Sequence, residues 1–342
     1  MNAMCDAAMN INGRHIGNGC PTYIIAEIGV NHDGRVDTAL ELVKQAKGSK
    51  VDAVKFQIVT ADRCYTKTSA SYPIFKKVEF KREQWRQLIT YCNDLDIDFF
   101  ATFADIQDLK EYSEFDLPAI KISSTNLTNF PLLESIAKVN KPVIISTGLS
   151  YLSEVEEAVR FLKEKGQSHI AILQCTSLYP AEAKDVNLLA METLKQVFPN
   201  HPVGFSDHTA GMTCAVASVA LGAKLLEKHF TLNKDMPGGD HYFSATPDEM
   251  KELVEAVREV EAALGSRDKK PTAGEVPLRE KWLRSLVALK NIQEGEVLTV
   301  DLIGVKRSAL RGLEPKFFES ALGKKTKKPL YEDDPITSDV ID

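Results

Sequence analysis

The stretch PVGFSDHTAGMTCAVASVALGAKLLEKHF, Pro202–Phe230, decides the fold. Two apolar runs, Pro202–Ser206 and Ala223–Phe230, flank a segment with helical periodicity, MTCAVASVALG. Short apolar runs that alternate with helical segments are typical of β–α–β units, in which neighbouring strands run parallel. His208 follows the first run, and His229 lies at the end of the second. The stretch therefore predicts two parallel neighbouring strands that carry imidazoles at the same end.

The same pattern extends over the whole of the chain before this stretch. Six further apolar runs precede it, namely Tyr23–Ile28, Asp52–Ile58, Ile97–Phe103, Ala119–Ser123, Pro142–Thr147 and His169–Thr176. Eight β–α units in about 240 residues match the size of a (β/α)8 TIM barrel. A doubly wound open sheet is the alternative, but it gathers ligand groups at one switch point rather than at every strand end. We therefore predict an α/β TIM barrel over residues 21–265.

The pattern changes after Gly265. Residues 266–280 carry charges, prolines and a glycine without an apolar face, which indicates a linker. Residues 281–342 contain short apolar runs broken by turns, which predict a small β-rich domain. Residues 1–20 form an N-terminal extension to which the sequence assigns no role.

Composition excludes several classes of function. The chain has 342 residues, of which 44% are hydrophobic and 26% charged, and its net charge is −6. These values are those of an ordinary globular protein, and the negative charge argues against a nucleic-acid partner. No apolar run is long enough to span a membrane or to form a signal peptide. The six cysteines are scattered without a CxxC pair, which predicts reduced thiols and a cytoplasmic location.

Polar side chains at the strand ends predict one common pocket, because a closed parallel barrel brings these ends to a single mouth. His208 and His229, on adjacent strands, are placed to bind a divalent metal with positions left for water and substrate. Histidines that only form hydrogen bonds are the alternative. Glu27, on the first strand, is either a general base or the counter-charge of Lys55. His32 follows the first strand and is predicted to stabilise the pocket.

Lys55 and Lys121 lie inside apolar strands, where an ammonium group is costly unless a partner or a pocket receives its charge. Together with nearby hydroxyl groups they predict an anion site for phosphate or carboxylate. Those hydroxyls belong to Ser146, Ser177 and Ser206. A structural ion pair, snorkelling to the rim and Schiff-base chemistry are the alternative interpretations.

Two further features bound the chemistry. Asp240, in a Gly-rich loop after the eighth strand, is either a turn residue or a ligand of substrate hydroxyls. No P-loop or GxGxxG motif stands at a strand–helix junction, which disfavours nucleotide cofactors. The residues alone therefore predict a metal-dependent barrel enzyme that acts on a small, anionic, hydroxylated substrate.

Seven segments resemble the sialic acid synthase family in their order and spacing: IIAEIGVNHDG, VDAVKFQ, KISS, ISTG, LQCTSLYP, VGFSDHTAG and LGAKLLEKHFTL. The C-terminal segment resembles the antifreeze-like (SAF) domain of the same enzymes, so the resemblance covers about residues 20–342. It implies a transferase that condenses phosphoenolpyruvate with N-acetylmannosamine or a related aldose and water. The products would be a nine-carbon 2-keto-3-deoxy sugar acid and phosphate. It also implies a divalent metal, Mn²⁺ or Mg²⁺, and a homodimer in which the C-terminal domain of each subunit caps the partner's barrel.

The resemblance implies roles for single residues as well. The family's catalytic positions correspond to Glu27, Lys55, Lys121, His208 and His229, and the two histidines would be metal ligands. Its substrate-binding positions correspond to Gln57, Thr102, Ser124, Ser146, Ser177, Tyr179, Ser206, Asp240 and Arg307.

Two departures from the family pattern concern the sugar end of the site. The family usually reads KIGSGE after the fourth strand, whereas this chain reads KISSTN, so the amide of Asn126 replaces a carboxylate and cannot act as a base. The C-terminal domain reads RSALRG in place of RPGxG. Arg307 aligns with the arginine that enters the partner's site, and Arg311 is an alternative. The acceptor therefore stays open between N-acetylmannosamine, a 2,4-diacetamido-6-deoxy sugar and a non-acetamido or phosphorylated hexose. A pyruvate-dependent Schiff-base aldolase and an inactive sugar-binding homologue are the alternative functions.

Overall fold

The computed structural model describes residues 6–342, which form two compact units that divide after Gly265. The strands are β1 Asp6–Ile11, β2 Arg14–Asn18, β3 Tyr23–Gly29, β4 Ala53–Ile58, β5 Asp98–Phe103, β6 Ile120–Ile122, β7 Val143–Ser146, β8 Ile170–Cys175, β9 Val203–Asp207, β10 Leu225–His229, β11 Ser285–Ala288 and β12 Ile303–Lys306. The helices are α1 Val36–Gly48, α2 Ala61–Cys64, α3 Ser71–Val78, α4 Arg82–Asp94, α5 Ile106–Glu111, α6 Phe130–Ala137, α7 Leu152–Glu164, α8 Ala183–Val186, α9 Ala190–Val197, α10 Thr213–Ala220, α11 Pro247–Leu264, α12 Val276–Trp282 and α13 Phe318–Ala321.

Strands β3 to β10 close into a parallel barrel in chain order, and β10 pairs with β3. The predicted TIM barrel is confirmed. Side chains alternate between the two faces of each strand. In β10, for example, Leu225 belongs to the apolar cluster inside the barrel, whereas Leu226 packs in the outer cluster between strands and helices. The interior is therefore apolar in its lower layer, and the upper layer is left to polar residues such as Glu227 and His229.

A β-hairpin formed by β1 and β2 covers the amino-terminal end of the barrel. Its turn is Asn12–Gly13, and both residues have positive φ, as this kind of tight turn requires. Met9, Ile11 and Ile16 are buried in the cluster that fills the barrel interior. The predicted extension thus has a structural role that the sequence did not assign, and residues 1–5 lie outside the described residues.

Helix α11 begins where the sequence predicts a helix start. Thr246 is its N-cap, Pro247 occupies the first turn, and Glu249 completes a capping box with Thr246. Helix α12 begins within the segment 266–280 that was predicted to be a linker, and it buries none of its side chains.

The second unit, Ser266–Asp342, has its own small core. Strands β11 and β12 pair antiparallel, and further short bridges such as Ile292 with Leu330 complete a β-rich fold. The predicted small β-domain is confirmed.

The helices and the cysteines bear on two further sequence predictions. Among the described residues, every helix is too short or too polar to traverse a lipid bilayer. Cys20 is disulfide-bonded, so the prediction of six reduced thiols is wrong there, because spacing along the chain does not reveal which thiols a fold brings together. Among residues 6–342, the cysteines with free thiols are Cys64, Cys92, Cys175 and Cys214.

Candidate active site

A cavity of about 730 Å³ opens at the carboxyl-terminal mouth of the barrel. The residues of the barrel that were predicted to be catalytic, substrate-binding or metal-ligating all line it: Glu27, Lys55, Gln57, Thr102, Lys121, Ser124, Ser146, Ser177, Tyr179, Ser206, His208, His229 and Asp240. Arg307 belongs to the second unit, where it is exposed just after β12. The parallel strands bring these side chains together because each one lies at or just beyond a strand end.

Lys55 is the centre of a buried charge cluster formed by strands β10, β3 and β4. Its ammonium nitrogen lies 3.0 Å from Glu27 Oε2 and 3.5 Å from Glu227 Oε1, and it donates to Thr102 Oγ1 at 3.4 Å. Residue 27 is in register with residue 55 on the adjacent strand, which places carboxylate and ammonium side by side. Gln57 Nε2 donates to the other oxygen of Glu27 at 3.2 Å.

Lys121 lies on the opposite side of the same cluster. Its ammonium group donates to Ser146 Oγ at 2.6 Å and lies 3.6 Å from Glu227 Oε1. Both lysines thus have buried acid partners and also line the cavity, so the ion-pair and the anion-site interpretations describe the same arrangement.

Glu227 is the residue that the sequence reasoning missed. It is buried between the two lysines, and it accepts a hydrogen bond from Ser206 Oγ at 3.0 Å, whereas its Oε2 has no hydrogen-bond partner. A signal was present, because Glu227 is two residues before His229 and alternation puts both on the same face of the strand.

The four charges of this cluster shift one another's pKa values. Burial alone raises the pKa of Glu227, but the ammonium groups of Lys121 and Lys55 prevail and lower it to about 2. Burial raises the pKa of Glu27, and the attraction of Lys55 only partly opposes this effect. Burial opposes the charge of Lys55, yet the two glutamates raise its pKa, whereas burial lowers the pKa of Lys121. Glu227 is therefore a fixed negative charge, and Glu27 is the carboxyl group suited to exchange a proton.

Small residues keep the floor of the cavity open. A Cβ atom at Gly148 would lie 2.3 Å from Ser177 Oγ and 2.8 Å from Ser124 Oγ, so only glycine fits there. The Gly148 N–H donates to Ser124 Oγ at 3.0 Å. The ISTG segment therefore lets several hydroxyl groups approach one point, next to the ammonium groups of the lysines.

The two histidines present nitrogen atoms suited to a divalent cation. His208 Nδ1 donates to the Thr176 carbonyl at 2.7 Å, which leaves the lone pair on Nε2. Burial, together with the charge on His208, holds the pKa of His229 well below its usual range, so this ring is neutral. His229 Nδ1 is buried without a hydrogen-bond partner, 3.6 Å from Asp240 Oδ2, and the ring centres of the two histidines are 5.2 Å apart. Two imidazoles and a carboxylate with an unpartnered buried nitrogen fit such an ion.

Cys175 is a free thiol at the edge of this histidine pair. Its Sγ lies 3.8 Å from His208 Nδ1 and receives a weak hydrogen bond from Ser124 Oγ at 3.6 Å. Burial favours the neutral forms of both groups, but the contact between them prevails, which raises the pKa of His208 and lowers that of Cys175.

A second group of potential ligand atoms lies away from the histidines. Within the described part of the chain, the one cluster of three close cysteine, histidine or acidic ligands is Cys64, Asp105 and Asp108. The guanidinium group of Arg63 already bonds both aspartates, at 3.2 Å for Asp105. Arginine supplies the positive charge there, so this cluster does not need a metal.

Tyr179 and Asn126, at the end of the cavity that is predicted to receive the sugar, form part of its wall. Tyr179 is half exposed, and its ring contacts that of His208 at a centroid distance of 4.3 Å. Asn126 donates to Ser123 Oγ and accepts from Asn129, each at 3.1 Å, so the amide is held within its own turn.

His32 does not lie in the cavity, contrary to the sequence prediction. Its ring is buried against Phe80, at a centroid distance of 4.3 Å, and near Phe56 and Trp85. Burial lowers its pKa to about 4, so it is a neutral core residue. His32 lies three residues beyond the end of β3, where strand alternation no longer determines the direction of a side chain.

A closed barrel that gathers buried lysines, glutamates and histidines at one mouth defines an enzyme. The chain belongs to the NeuB family, whose model matches residues 42–269, and the SAF domain model matches residues 284–341.

Three relatives show how far the similarity extends. An uncharacterized protein of Methanocaldococcus jannaschii is 45% identical over 96% of this chain and 97% of its own length. The human N-acetylneuraminate-9-phosphate synthase is 36% identical, over 96% of this chain and 95% of its own length. The crystal structure of the Bacillus subtilis spore coat polysaccharide biosynthesis protein SpsE superposes with a TM-score of 0.69 at 36% identity, covering 97% of this chain and 98% of SpsE. The chain is thus a synthase of the phosphoenolpyruvate-dependent, transferase type.

Proposed function

We propose that this protein condenses phosphoenolpyruvate with the open-chain aldehyde of an N-acetylmannosamine-type aldose. Water is the third reactant, and the products are a nine-carbon 2-keto-3-deoxy sugar acid and inorganic phosphate. The observation that carries the proposal is the convergence of two buried lysines and several serine hydroxyls beside two histidines in one cavity.

Phosphoenolpyruvate would bind at the end of the cavity that is lined by lysine and serine side chains. The ammonium groups of Lys55 and Lys121 supply charge for the phosphate and the carboxylate, and the hydroxyl groups of Ser124, Ser146 and Ser206 supply hydrogen bonds. In the free protein Glu227 neutralises part of this charge, which lets both lysines stay buried before the substrate arrives.

The reaction joins C3 of phosphoenolpyruvate to the aldehyde carbon of the sugar. C2 becomes electron-poor as this bond forms, and the fixed charge of Glu227 stabilises it. Water then adds at C2, and the C2–O bond to the phosphate breaks to leave the ketone and inorganic phosphate. Glu27, whose pKa burial raises, would take one proton from the water and pass it to the former aldehyde oxygen, which becomes a hydroxyl. The second water proton leaves with the phosphate as the hydroxyl on C2 becomes the ketone.

His208 and His229 would hold a divalent cation, Mn²⁺ or Mg²⁺, with Asp240 beside them. Such an ion, when bound, polarises a carbonyl oxygen as a Lewis acid. Gln57, Tyr179 and Asp240 are the groups that would hold the hydroxyls of the sugar. Because the amide of Asn126 is bonded within its own turn, it offers no base at this end of the cavity.

An exposed apolar rim supports the proposal of a capped homodimer. Leu149, Tyr151, Leu178 and Tyr242, on loops after three different strands, are all at least half exposed. We propose that the C-terminal domain of a partner covers this rim and contributes Arg307. Arg311 is a weaker candidate because it already donates to the Arg279 carbonyl at 3.3 Å. Use of phosphoenolpyruvate, a metabolite of glycolysis, supports a cytoplasmic location.

The test is phosphate release from phosphoenolpyruvate with a panel of acceptors and Mn²⁺, with products identified by mass spectrometry. The panel holds N-acetylmannosamine, its 6-phosphate, 2,4-diacetamido-6-deoxy hexoses and plain hexoses. We expect release with at least one acceptor, its loss on chelation and its return with Mn²⁺. Lys121→Met should abolish release, whereas the exposed Lys184→Met should not. Absence of release with every acceptor would overturn the proposal.

One observation favours a second candidate, a Schiff-base aldolase. Burial lowers the pKa of Lys121, which makes its amine a better nucleophile. Incubation with pyruvate and borohydride, followed by peptide mapping, separates the two functions. A reduced pyruvyl adduct on Lys121 or Lys55 would support the aldolase.

A further inference from the structure

The loop that carries Asp240 is anchored near its start, where Lys234 forms an ion pair with Glu249. It follows β10 with the sequence NKDMPGGD, residues 233–240, which contains two glycines and one large apolar residue. Asp240 nevertheless approaches His229, with 3.6 Å between its Oδ2 and the ring Nδ1. The far end of the loop, where Asp240 lies, therefore needs contacts of its own.

Asn31, in the loop between β3 and α1, makes that connection. Its side chain is buried, and its Nδ2 donates to the carbonyl of Phe230 at 2.9 Å and to Ser244 Oγ at 3.0 Å. Its Oδ1 accepts from the backbone N–H of Asp240 at 2.8 Å. One amide thus joins the residue next to His229 to Asp240 itself.

The surroundings of this amide are adapted to it. Ser244 Oγ donates to the carbonyl of Asp240 at 2.6 Å, so both backbone polar groups of Asp240 are bonded. Gly239 has φ +56°, and a Cβ atom there would lie 2.8 Å from Asn31 Oδ1. Glycine at 239 therefore allows the loop backbone to reach the amide.

We propose that Asn31 is a positioning residue that sets the distance between His229 and Asp240, and with it the geometry of the sugar end of the site. That the substrate is a sugar rests on the proposed function, whereas the hydrogen bonds of Asn31 are independent of it. The direction of each hydrogen bond makes the proposal specific. A carbonyl and a hydroxyl oxygen face the NH₂ group, and an N–H faces the oxygen, so only an amide of this size satisfies all three.

Two variants separate the donor and acceptor roles. Asn31→Ala removes all three bonds, whereas Asn31→Asp keeps an acceptor for the Asp240 N–H but opposes a carboxylate oxygen to the Phe230 carbonyl. Ser244→Ala is a milder variant that removes only the hydroxyl shared by Asn31 and Asp240. Asn93→Asp, at an exposed position on α4, is the matched control.

Hydrogen exchange at the Asp240 amide tests the contact without reference to activity. We expect exchange at least tenfold faster in Asn31→Ala, close to wild type in Asn31→Asp, and unchanged in the control. Mn²⁺ affinity, measured by electron paramagnetic resonance, should fall at least fivefold in both Asn31 variants. Unchanged exchange together with unchanged Mn²⁺ affinity in Asn31→Ala would overturn the proposal.

Steady-state kinetics then distinguish positioning from a general loss of structure. We expect the Asn31 variants to raise the acceptor KM or lower kcat at least tenfold while the KM for phosphoenolpyruvate stays within twofold, and Ser244→Ala to show a smaller effect of the same kind. Equal effects on both substrates would contradict the proposal. A wild-type enzyme that accepts no sugar would overturn the proposed function alone, and exchange and Mn²⁺ affinity would still decide the role of Asn31.

Discussion

Replacing Lys228 with methionine tests how the loop after β9 is held. Lys228 and Asp207 are in register on adjacent strands and point outward from the barrel, away from the cavity. Both are almost completely buried, with 2.8 Å between the ammonium nitrogen and Asp207 Oδ2. Lys228 also donates to the Thr209 carbonyl, and Asp207 accepts from the Thr209 N–H. The ion pair therefore holds the two residues that precede and follow His208 in the chain, Asp207 and Thr209.

The magnitude follows from the burial of the pair. Methionine keeps most of the volume of the lysine stem but leaves the carboxylate of Asp207 without a counter-charge. Removal of one partner from a buried ion pair costs about 3–5 kcal/mol. At roughly 2 °C for each kcal/mol in a unit of this size, the unfolding midpoint should fall by about 6–10 °C.

The assay is thermal unfolding of wild type, Lys228→Met, Asp207→Asn and the double variant by calorimetry. The double variant should recover at least half of the loss of Lys228→Met, because an amide no longer buries an unpaired charge. Lys251→Met, an exposed lysine on α11, should leave the midpoint within about 1 °C. A loss below 1 kcal/mol in Lys228→Met, or a double variant no more stable than Lys228→Met, would refute the reasoning.

Two further predictions concern the cavity and the second unit. Glu227→Gln removes the negative charge that lies 3.6 Å from the ammonium nitrogen of Lys121. The Coulomb attraction lost is about 4–5 kcal/mol at an effective dielectric constant of about 20. The pKa of Lys121, already lowered by burial, should therefore fall further. A lysine loses its charge as the pH rises through its pKa. The KM for phosphoenolpyruvate should thus begin to rise at a lower pH in this variant than in wild type. Identical pH profiles of this KM would contradict the role given to Glu227. If the C-terminal domain caps a partner's barrel as proposed, deletion of residues 281–342 should abolish turnover, because the cap and Arg307 are lost, while circular dichroism still reports a folded barrel. Full activity of the truncated chain would exclude capping.

The barrel strands could be predicted because each is an apolar run of suitable length. The run Ala119–Ser123 became β6, Ile120–Ile122, and the other seven matched to within a few residues. The hairpin at the barrel's end was missed for a physical reason. Half of its residues are polar, so its few apolar residues do not by themselves predict a buried strand. They are explained only by the barrel end that they cover. The Asn12–Gly13 turn was the available signal.

The site was predictable where side chain and strand end coincide and unpredictable where a loop intervenes. Lys55 and Lys121 follow from their position inside apolar strands, since burial demands a partner. The position of Asp240 depends on the amide of Asn31, more than 200 residues earlier in the chain, and no spacing reveals that contact. The side chain of His32 could not be placed from the sequence either, because it lies in the loop after β3, where strand alternation does not apply.

The segment Leu225–His229 holds more information than was taken from it. Once His229 is assigned to the interior, alternation puts Glu227 inside and Lys228 outside. Two lysines and two glutamates then balance inside the barrel, whereas Lys228 needs an acid on its own face, and the outward residue in register on β9 is Asp207. Charge balance on each face, added to strand alternation, therefore separates the lysines that line the cavity from the lysine that bonds the loop after β9.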